Sequence, residues 1–251
     1  MNPAEHEQQA GRGERVRGPM LSKGKATQVR AMFARIVQHY DLMNTLMTGG
    51  MDRRWRRVAV RLCRPRGTTA LDIATGTGEL AMELVRQGAR RVVGLDFCGP
   101  MLCAARRKSL GLSPAISLVA GDAMALPFAD SSFDRIINGF LLRNVADLPR
   151  TLREMARVLR PGGRAVCLEI THPPSRLFGA VFRPFFYRLV PILGAAVTGD
   201  TQAYSYLPSS LVNFPDAPEL ARLMREAGFV EVSYHLLGFG AVAVHVGLKR
   251  G

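Results

Sequence analysis

Residues 71–81 read Leu-Asp-Ile-Ala-Thr-Gly-Thr-Gly-Glu-Leu-Ala, an apolar strand that runs into a glycine-rich turn and then into a helix. Gly76 and Gly78 let the backbone approach a ligand closely, and the turn exposes backbone amides at a helix N-terminus. Asp96, eighteen positions beyond Gly78, ends the next predicted strand, where a ribose would lie. The stretch therefore predicts a site for a nucleotide-bearing cofactor.

The glycine turn alone does not choose the cofactor. Gly76-x-Gly78-x-x-Ala81 fits the Gly/Ala form of the dinucleotide fingerprint. A nicotinamide enzyme and an S-adenosylmethionine enzyme both stay open at this point.

Composition limits the class of protein. The chain has 251 residues, of which 47% are hydrophobic and 22% charged, and this predicts one α/β domain with a sizeable core. The net charge of +14 would draw the protein toward anionic membrane or nucleic acid at low salt. The four cysteines lack zinc or Cys-x-x-Cys spacing, which is typical of reduced thiols in a cytosolic protein.

Two stretches, one very polar and one very apolar, indicate how the chain is organised. Residues 1–25 are polar, lack a secretory or transit signal, and are predicted to form a disordered basic arm. The apolar segment 177–197 is interrupted by Arg183, Pro184, Arg188 and Pro191, so it is not predicted to span a membrane. It fits either a segment that lies in a membrane interface or over an apolar ligand, or two ordinary core-packing helices.

Strand and helix patterns alternate along the rest of the chain, which predicts a parallel sheet with helices on both faces. Helical spacing covers 28–47, and a second helix starts at Asp52. The predicted strands are 69–73, 91–95, 116–120, 134–138, 164–169, 230–237 and 242–248. The predicted helices between them are 79–87, 99–109, 148–159 and 217–227.

The last two predicted strands are joined only by Gly238-Phe239-Gly240, which forces an antiparallel hairpin. A mostly parallel seven-stranded sheet with an antiparallel last strand is the Rossmann-like fold of class I methyltransferases, whereas a nicotinamide-binding domain normally continues in parallel. The end of the chain therefore favours S-adenosylmethionine as the cofactor.

An acidic turn follows the third predicted strand. Asp122 could accept a hydrogen bond from an adenine amine, and Ala123 could donate from its backbone. The alternative for Asp122 is a turn-forming aspartate that bonds its own backbone. The full set of predicted cofactor-binding residues is Asp72, Gly76, Thr77, Gly78, Asp96, Asp122, Ala123 and Gly139.

Several blocks carry a resemblance to a known family. They are Tyr40-Asp41-Leu42-Met43-Asn44, Arg53-x-Trp55, residues 121–128, Leu142-Arg143-Asn144-Val145, Gly199-Asp200, Tyr204-x-Tyr206-Leu207 and Phe214-Pro215-Asp216. From Phe33 to Lys249 the chain resembles the ubiquinone/menaquinone biosynthesis C-methyltransferase family. The resemblance implies methylation of a ring carbon of a polyprenyl hydroquinone by S-adenosylmethionine. In three places the chain departs from the family pattern: Thr75 stands where a second glycine is frequent, Gly139 stands where a serine is frequent, and Asp52 replaces the usual histidine.

Such chemistry needs an electron-rich ring, so a hydroxyl should lose its proton and the site should favour an oxyanion. Arg143 is the predicted cation for that oxygen, and Asn144 is predicted to bond it or to hold a water. Tyr40 is predicted to close over the ligand. The alternatives are an ion pair for Arg143, a helix cap for Asn144 and a core position for Tyr40.

A domain spanning 26–251 is predicted to carry an N-terminal helical cap (26–66) and a substrate-cover insert (172–213), with Asp200, Tyr204 and Tyr206 as substrate contacts. The expected location is cytoplasmic, with peripheral membrane contact or a solvated helix face as alternatives for the basic stretch, and a homodimer is left open. The arginines of that stretch are Arg53, Arg54, Arg56, Arg57, Arg61, Arg64 and Arg66. No metal is expected.

Rival functions have weaker support. The chain lacks an Asn/Asp-Pro-Pro-aromatic turn after the fourth predicted strand, and Cys167 lies in a buried strand pattern, which argues against a nucleic-acid methyltransferase. No nucleic-acid partner is therefore expected. A nicotinamide oxidoreductase would be expected to show a Tyr-x-x-x-Lys motif or a second catalytic domain, and neither is recognisable in this sequence. Methylation of another small aromatic or lipid substrate stays open.

Overall fold

The computed structural model describes residues 23–175 and 209–251, together with residues 184, 188, 190, 192, 194 and 206. Most of the predicted arm (1–25) and most of the predicted insert (172–213) lie outside the described residues.

The described residues form a seven-stranded sheet in the order β3-β2-β1-β4-β5-β7-β6. The strands are β1 Thr69–Ile73, β2 Arg91–Asp96, β3 Ile116–Ala120, β4 Phe133–Gly139, β5 Leu159–Ile170, β6 Phe229–Leu237 and β7 Val242–Lys249. Strands β1 to β5 pair in parallel, and β7 lies antiparallel between β5 and β6. The predicted fold class, with its antiparallel last strand, is confirmed.

Strand β5 begins five residues before its predicted start, because the Pro-Gly-Gly turn lies inside the strand. Leu159 pairs with Phe133, the register then shifts, and Arg164 pairs with Arg135. A Cβ at Gly163 would lie 2.7 Å from the carbonyl oxygen of Arg160, so the turn needs glycine there. The chain thus bulges at residues 160–163 and rejoins the sheet.

Seven α-helices have both ends among the described residues, and short 3₁₀ helices cover Leu142–Asn144 and Gly238–Gly240. The α-helices are α1 Lys23–Ile36, α2 Tyr40–Thr48, α3 Met51–Cys63, α4 Glu79–Arg86, α5 Gly99–Lys108, α6 Leu148–Val158 and α7 Ala217–Glu226. Asp147 and Asp216 cap α6 and α7 by accepting backbone N–H bonds of 2.8 and 3.0 Å.

The prediction of one continuous helix over 28–47 is wrong. The chain turns at residues 37–39, where His39 has φ −106° and its N–H bonds back to the Ile36 carbonyl in a three-residue turn. The apolar periodicity continues through this turn, so spacing alone did not reveal the change of direction.

The core lies on both faces of the sheet. Leu152 on α6 and Leu220 on α7 pack with β1 and β4 on one face, while Ala59 on α3 and Leu84 on α4 pack on the other. Burying each leucine contributes roughly 1.5–3 kcal/mol. A separate small cluster within α1 and α2 contains Met32, Ile36 and Met43. Among the residues described, no helix is both long and apolar enough to cross a bilayer.

Candidate active site

A cleft opens at the carboxyl ends of the parallel strands. From the sheet it is lined by the turn after β1, by Asp96, by residues 121–124, and by residues 139–141 and 144–146. The helical cap closes it with Val29 and Phe33 of α1 and Tyr40 of α2. Ligands of open parallel sheets bind at this edge, so the cleft is the candidate active site.

The glycine turn is built for close backbone approach. Gly76 and Gly78 have φ values of 55° and 86°, in the left-handed region that favours glycine. Gly78 stands at the N-terminus of α4, and a Cβ there would lie 3.2 Å from the Cβ of Ala105 on α5. Gly76 lines the cleft with no atom within 4 Å of its Cβ position, so a ligand can approach the backbone there. The N–H groups of Gly76 and Gly78 are bonded within the protein, to Asp96 and to the Thr75 carbonyl.

Asp96 ends β2 and faces the turn. Its Oδ2 accepts the Gly76 N–H at 2.8 Å, and its Oδ1 accepts the Cys98 N–H at 2.8 Å. Burial raises the pKa of Asp96, and these backbone bonds oppose that shift. Each carboxylate oxygen keeps a second lone pair, so Asp96 still has acceptors for ribose hydroxyls.

Asp72 is hydrogen-bonded to the glycine turn and does not line the cleft. Its Oδ2 accepts the Thr75 hydroxyl at 2.7 Å, and burial raises the pKa of Asp72 to about 7. Its Oδ1 has no hydrogen-bond partner among the described residues. Direct contact between Asp72 and a cofactor stays a prediction.

Asp122 plays the turn role that the sequence offered as its alternative, since its Oδ1 accepts the Met124 N–H at 2.8 Å. The residue is also exposed and lines the cleft beside Ala123. Gly139 lines the same cleft, and a Cβ there would lie 2.8 Å from Cδ1 of Leu80. Gly139 can thus contribute only its backbone.

Thr77 is buried and is not part of the cleft lining. Its hydroxyl donates to Oδ1 of Asp41 on α2 at 2.7 Å. The side chain therefore joins the glycine turn to the helical cap, and a cofactor contact of Thr77 stays a prediction.

Arg143 is placed behind the cleft lining and forms the ion pair that the sequence left open as its alternative. Its Nη1 donates to Oε1 of Glu169, and the two side chains are 6% and 1% exposed. Its guanidinium carbon lies 5.6 Å from the ring centre of Phe140, a cation–π distance. Its Nε has no partner within the described part of the chain.

Asn144 lines the cleft itself. Its Nδ2 donates to the Phe140 carbonyl at 2.9 Å, while its Oδ1 is buried without a partner among the residues described. It does not cap the following helix, because Asp147 does so. The helix-cap alternative for Asn144 is therefore wrong.

Two tyrosines meet the helical cap. Tyr40 lines the cleft and packs edge-on against Phe33, with ring centres 5.9 Å apart. Tyr206 packs against the Met32 cluster of the cap, and its buried hydroxyl lacks a partner in the described part of the structure. Burial raises the pKa of Tyr206, and the nearby charge of Arg143 opposes this. Asp200 and Tyr204 lie outside the described residues.

Sequence reasoning missed Glu169, Val29 and Phe33. A carboxylate at the end of an apolar central strand is itself a signal that a partner is near, because buried charges are rarely unpaired. Val29 and Phe33 are four residues apart and share one helix face, but the neighbouring sequence does not predict which part of the protein that face covers.

The sheet order, the antiparallel β7 and the glycine turn with Asp96 at the neighbouring strand end define a class I S-adenosylmethionine-dependent methyltransferase. A structure titled "SAM-dependent methyltransferase, possible histamine N-methyltransferase" from Thermotoga maritima shares the fold. It has a TM-score of 0.63 and 23% identity, with 88% of this chain and 100% of that chain covered.

A profile of the ubiE/COQ5 methyltransferase family matches residues 21–249, and the chain belongs to that family. It is 47% identical over 229 residues to a demethylmenaquinone methyltransferase of Roseiflexus castenholzii, with 90% of this chain and 95% of the relative covered. It is 40% identical over 230 residues to a ubiquinone/menaquinone biosynthesis C-methyltransferase UbiE of Geobacter sulfurreducens, with 90% of each chain covered. The nicotinamide alternative is thereby excluded.

The cleft residues fit S-adenosylmethionine. The left-handed glycine turn leaves room for backbone approach, Asp96 offers carboxylate lone pairs at the expected ribose position, and the exposed Asp122 carboxylate lines the cleft.

Proposed function

We propose that this methyltransferase transfers the methyl group of S-adenosylmethionine to a ring carbon of a polyprenyl hydroquinone. The printed names of its relatives point to a demethylmenaquinol, a naphthoquinol, or to a precursor of ubiquinol, a benzoquinol. The bound cofactor would supply a methyl group on a positively charged sulfur, which is open to attack by an electron-rich carbon.

The observation that carries the proposal is a set of buried polar atoms without partners next to the cofactor cleft. They are Nε of Arg143, Oδ1 of Asn144 and the hydroxyl of Tyr206, counted over the described residues. Leaving a buried polar group unpaired costs about 1–3 kcal/mol, so such atoms point to a polar ligand. A ring that carries hydroxyl groups would satisfy donors and acceptors together.

The chemical types of these atoms match a hydroquinone that must lose a proton. Nε of Arg143 is a donor and would stabilise a phenolate oxygen, while Oδ1 of Asn144 is an acceptor and would take the hydrogen bond of a hydroxyl. Glu169 holds the guanidinium of Arg143 in place from the other side. An oxidised quinone has no such hydroxyl and would leave the Asn144 acceptor unpaired.

Apolar side chains from the helical cap suit the ring faces. Phe33 and Tyr40 lie on the cap side of the cleft, and Leu141 and Val145 lie on the sheet side. We propose that the predicted contacts Asp200, Tyr204 and Tyr206 complete this site from the substrate-cover insert. The predicted division into an arm (1–25) and one domain (26–251) is part of the same proposal.

Peripheral contact with an anionic membrane would bring the enzyme to a substrate whose isoprenoid tail stays in the bilayer. One of the predicted lipid-binding residues is ruled out, because Arg56 is buried in an ion pair with Asp52. The remaining arginines of the stretch are exposed: Arg53, Arg54, Arg57, Arg61, Arg64 and Arg66. Leu42, Leu46 and Met51 in the adjoining helices are 51%, 50% and 43% exposed. We call these six arginines and three apolar residues the basic–apolar face.

The test is turnover of chemically reduced demethylmenaquinone with methyl-labelled S-adenosylmethionine, run in parallel with a benzoquinol precursor and with the oxidised quinones. We expect label in the ring of at least one quinol and none in the oxidised quinones. Absence of labelled product with both quinols, from protein that binds the cofactor, would reject the proposal.

A further inference from the structure

A polar cluster outside the cleft joins the helical cap to the cofactor turn. It consists of Lys108 at the end of α5, Asp41 in the first turn of α2, Thr77 in the glycine turn and Glu79 at the start of α4. We call it the Lys108 cluster. Its members come from four separate elements of the chain.

The geometry of the cluster suits an ammonium group. Nζ of Lys108 lies 2.8 Å from Oδ2 of Asp41 and 3.4 Å from Oγ1 of Thr77, and it also donates to Oε1 of Glu79. An ammonium has three N–H donors that spread in different directions, so it can serve three acceptors at once. The Thr77 hydroxyl in turn donates to Oδ1 of Asp41 at 2.7 Å.

The cluster acts on the cleft through two neighbours. Asp41 directly follows Tyr40, whose side chain lines the cleft, and Thr77 lies between Gly76 and Gly78 of the cofactor turn. Oδ1 of Asp41 accepts a hydrogen bond from Thr77 in the cofactor turn, and Oδ2 accepts one from Lys108 at the end of α5. The first turn of α2 is therefore held against the turn that faces the cofactor.

We infer that Lys108 is a positioning residue that, through Asp41 and Thr77, holds the first turn of α2 and its Tyr40 closed over the bound cofactor. Lys108 touches neither the cleft nor the reacting atoms. Because Tyr40 lines the cleft from the cap side, we expect a weaker cluster to speed cofactor release. This inference concerns cofactor retention and does not depend on which quinol is methylated.

The solvent exposure of the cluster sets the size of the effect. The side chains of Lys108, Asp41 and Glu79 are 31%, 41% and 31% exposed, so salt should weaken their attraction. Exposed ion pairs have modest strength, and we expect a change of about threefold to fivefold in cofactor release.

The experiment measures the release rate of labelled S-adenosylmethionine into excess unlabelled cofactor, with no quinol present. Lys108→Met should speed release about threefold to fivefold at 50 mM NaCl and much less at 500 mM. The matched control is Arg222→Met on α7, which also breaks two exposed ion pairs, with Glu219 and Glu226, and should leave release unchanged. Equal release from the Lys108 variant and the wild type at low salt, or equal acceleration in both variants, would overturn the inference.

Two further comparisons separate positioning from general destabilisation. Tyr40→Ala combined with Lys108→Met should release the cofactor no faster than Tyr40→Ala alone, because both changes remove the same closure. Multiplying effects would contradict the inference. If Lys108→Met does not fold, Asp41→Ala should speed release, while Asp41→Asn, which keeps an oxygen that can accept from Lys108, should speed it less; identical behaviour of these two variants would also overturn the inference.

Discussion

Arg143 donates a hydrogen bond to Glu169, and their side chains are only 6% and 1% exposed. Glu169 also accepts the Arg143 N–H at 3.4 Å and the Ile170 N–H at 2.9 Å, so one carboxylate fixes the side chain of Arg143 and its backbone in the 3₁₀ helix after β4. A buried pair of this kind orients the cation, and it makes the loss of either partner costly.

Glu169→Ala should lower the free energy of unfolding by about 3–5 kcal/mol, because it leaves the Arg143 charge buried and unpaired. Urea denaturation followed by circular dichroism measures this. The control is Glu219→Ala, which removes an exposed ion pair on α7 and should cost less than about 1 kcal/mol. Similar losses in both variants would contradict a special role for burial.

Arg143→Met should lower kcat by a factor of about 10²–10³, since the developing oxyanion loses its cation. Cofactor affinity should stay nearly unchanged, because Arg143 is not part of the cleft lining. Isothermal titration with S-adenosylmethionine, together with labelled turnover, separates the two effects. A collapse of cofactor binding would instead make Arg143 a purely structural residue.

Asn144→Ala should lower kcat with the quinol about tenfold to a hundredfold, because the proposed acceptor for the hydroxyl is lost. Asn144→Asp keeps an acceptor at the same place and should retain more activity than the alanine variant. Unfolding curves of both variants provide the control, since each also loses or alters the bond from Nδ2 to the Phe140 carbonyl. Equal activity of the two variants would remove the acceptor from the mechanism.

Asp72→Asn should change the pH dependence of stability. In the unfolded chain Asp72 titrates near 3.8, and burial raises its pKa to about 7 in the folded state. The folded protein therefore binds more protons between these values, so the contribution of Asp72 to stability is present below pH 4 and is lost as the pH rises to 7.

The measurement is urea unfolding of wild type and Asp72→Asn at pH 5 and pH 8 without added cofactor. Relative to the wild type, the variant should gain about 3 kcal/mol or less between the two pH values, because one pKa unit corresponds to about 1.4 kcal/mol. If the difference in the free energy of unfolding between the two proteins does not change with pH, the pKa of Asp72 is not raised in the folded state.

Removal of charge from the basic–apolar face should weaken binding to anionic vesicles. Arg53→Gln with Arg57→Gln should reduce the affinity for phosphatidylserine-containing liposomes by about fivefold per arginine at low salt. The control is Arg153→Gln with Arg222→Gln, two exposed arginines on helices of the other sheet face. Flotation that is equal on neutral and anionic vesicles would reject the electrostatic contact.

Much of the fold follows from local patterns. Apolar runs, helical spacing and the short Gly238–Gly240 connection predicted the strands, the cofactor turn and the antiparallel β7, because backbone periodicity and turn chemistry act over a few residues. The positions of Gly76, Asp96 and Asp122 at one sheet edge followed from the same alternation.

The partners of the charged residues were decided only by the tertiary structure. Arg143 meets Glu169 across 26 positions, and Lys108 meets Asp41 across 67, through strand pairing and helix packing that no local window contains. The turn at residues 37–39 likewise directs Val29 and Phe33 over the cleft. The sequence by itself determined where the cofactor turn lies, while long-range packing determined which side chains close it and which charges are paired behind it.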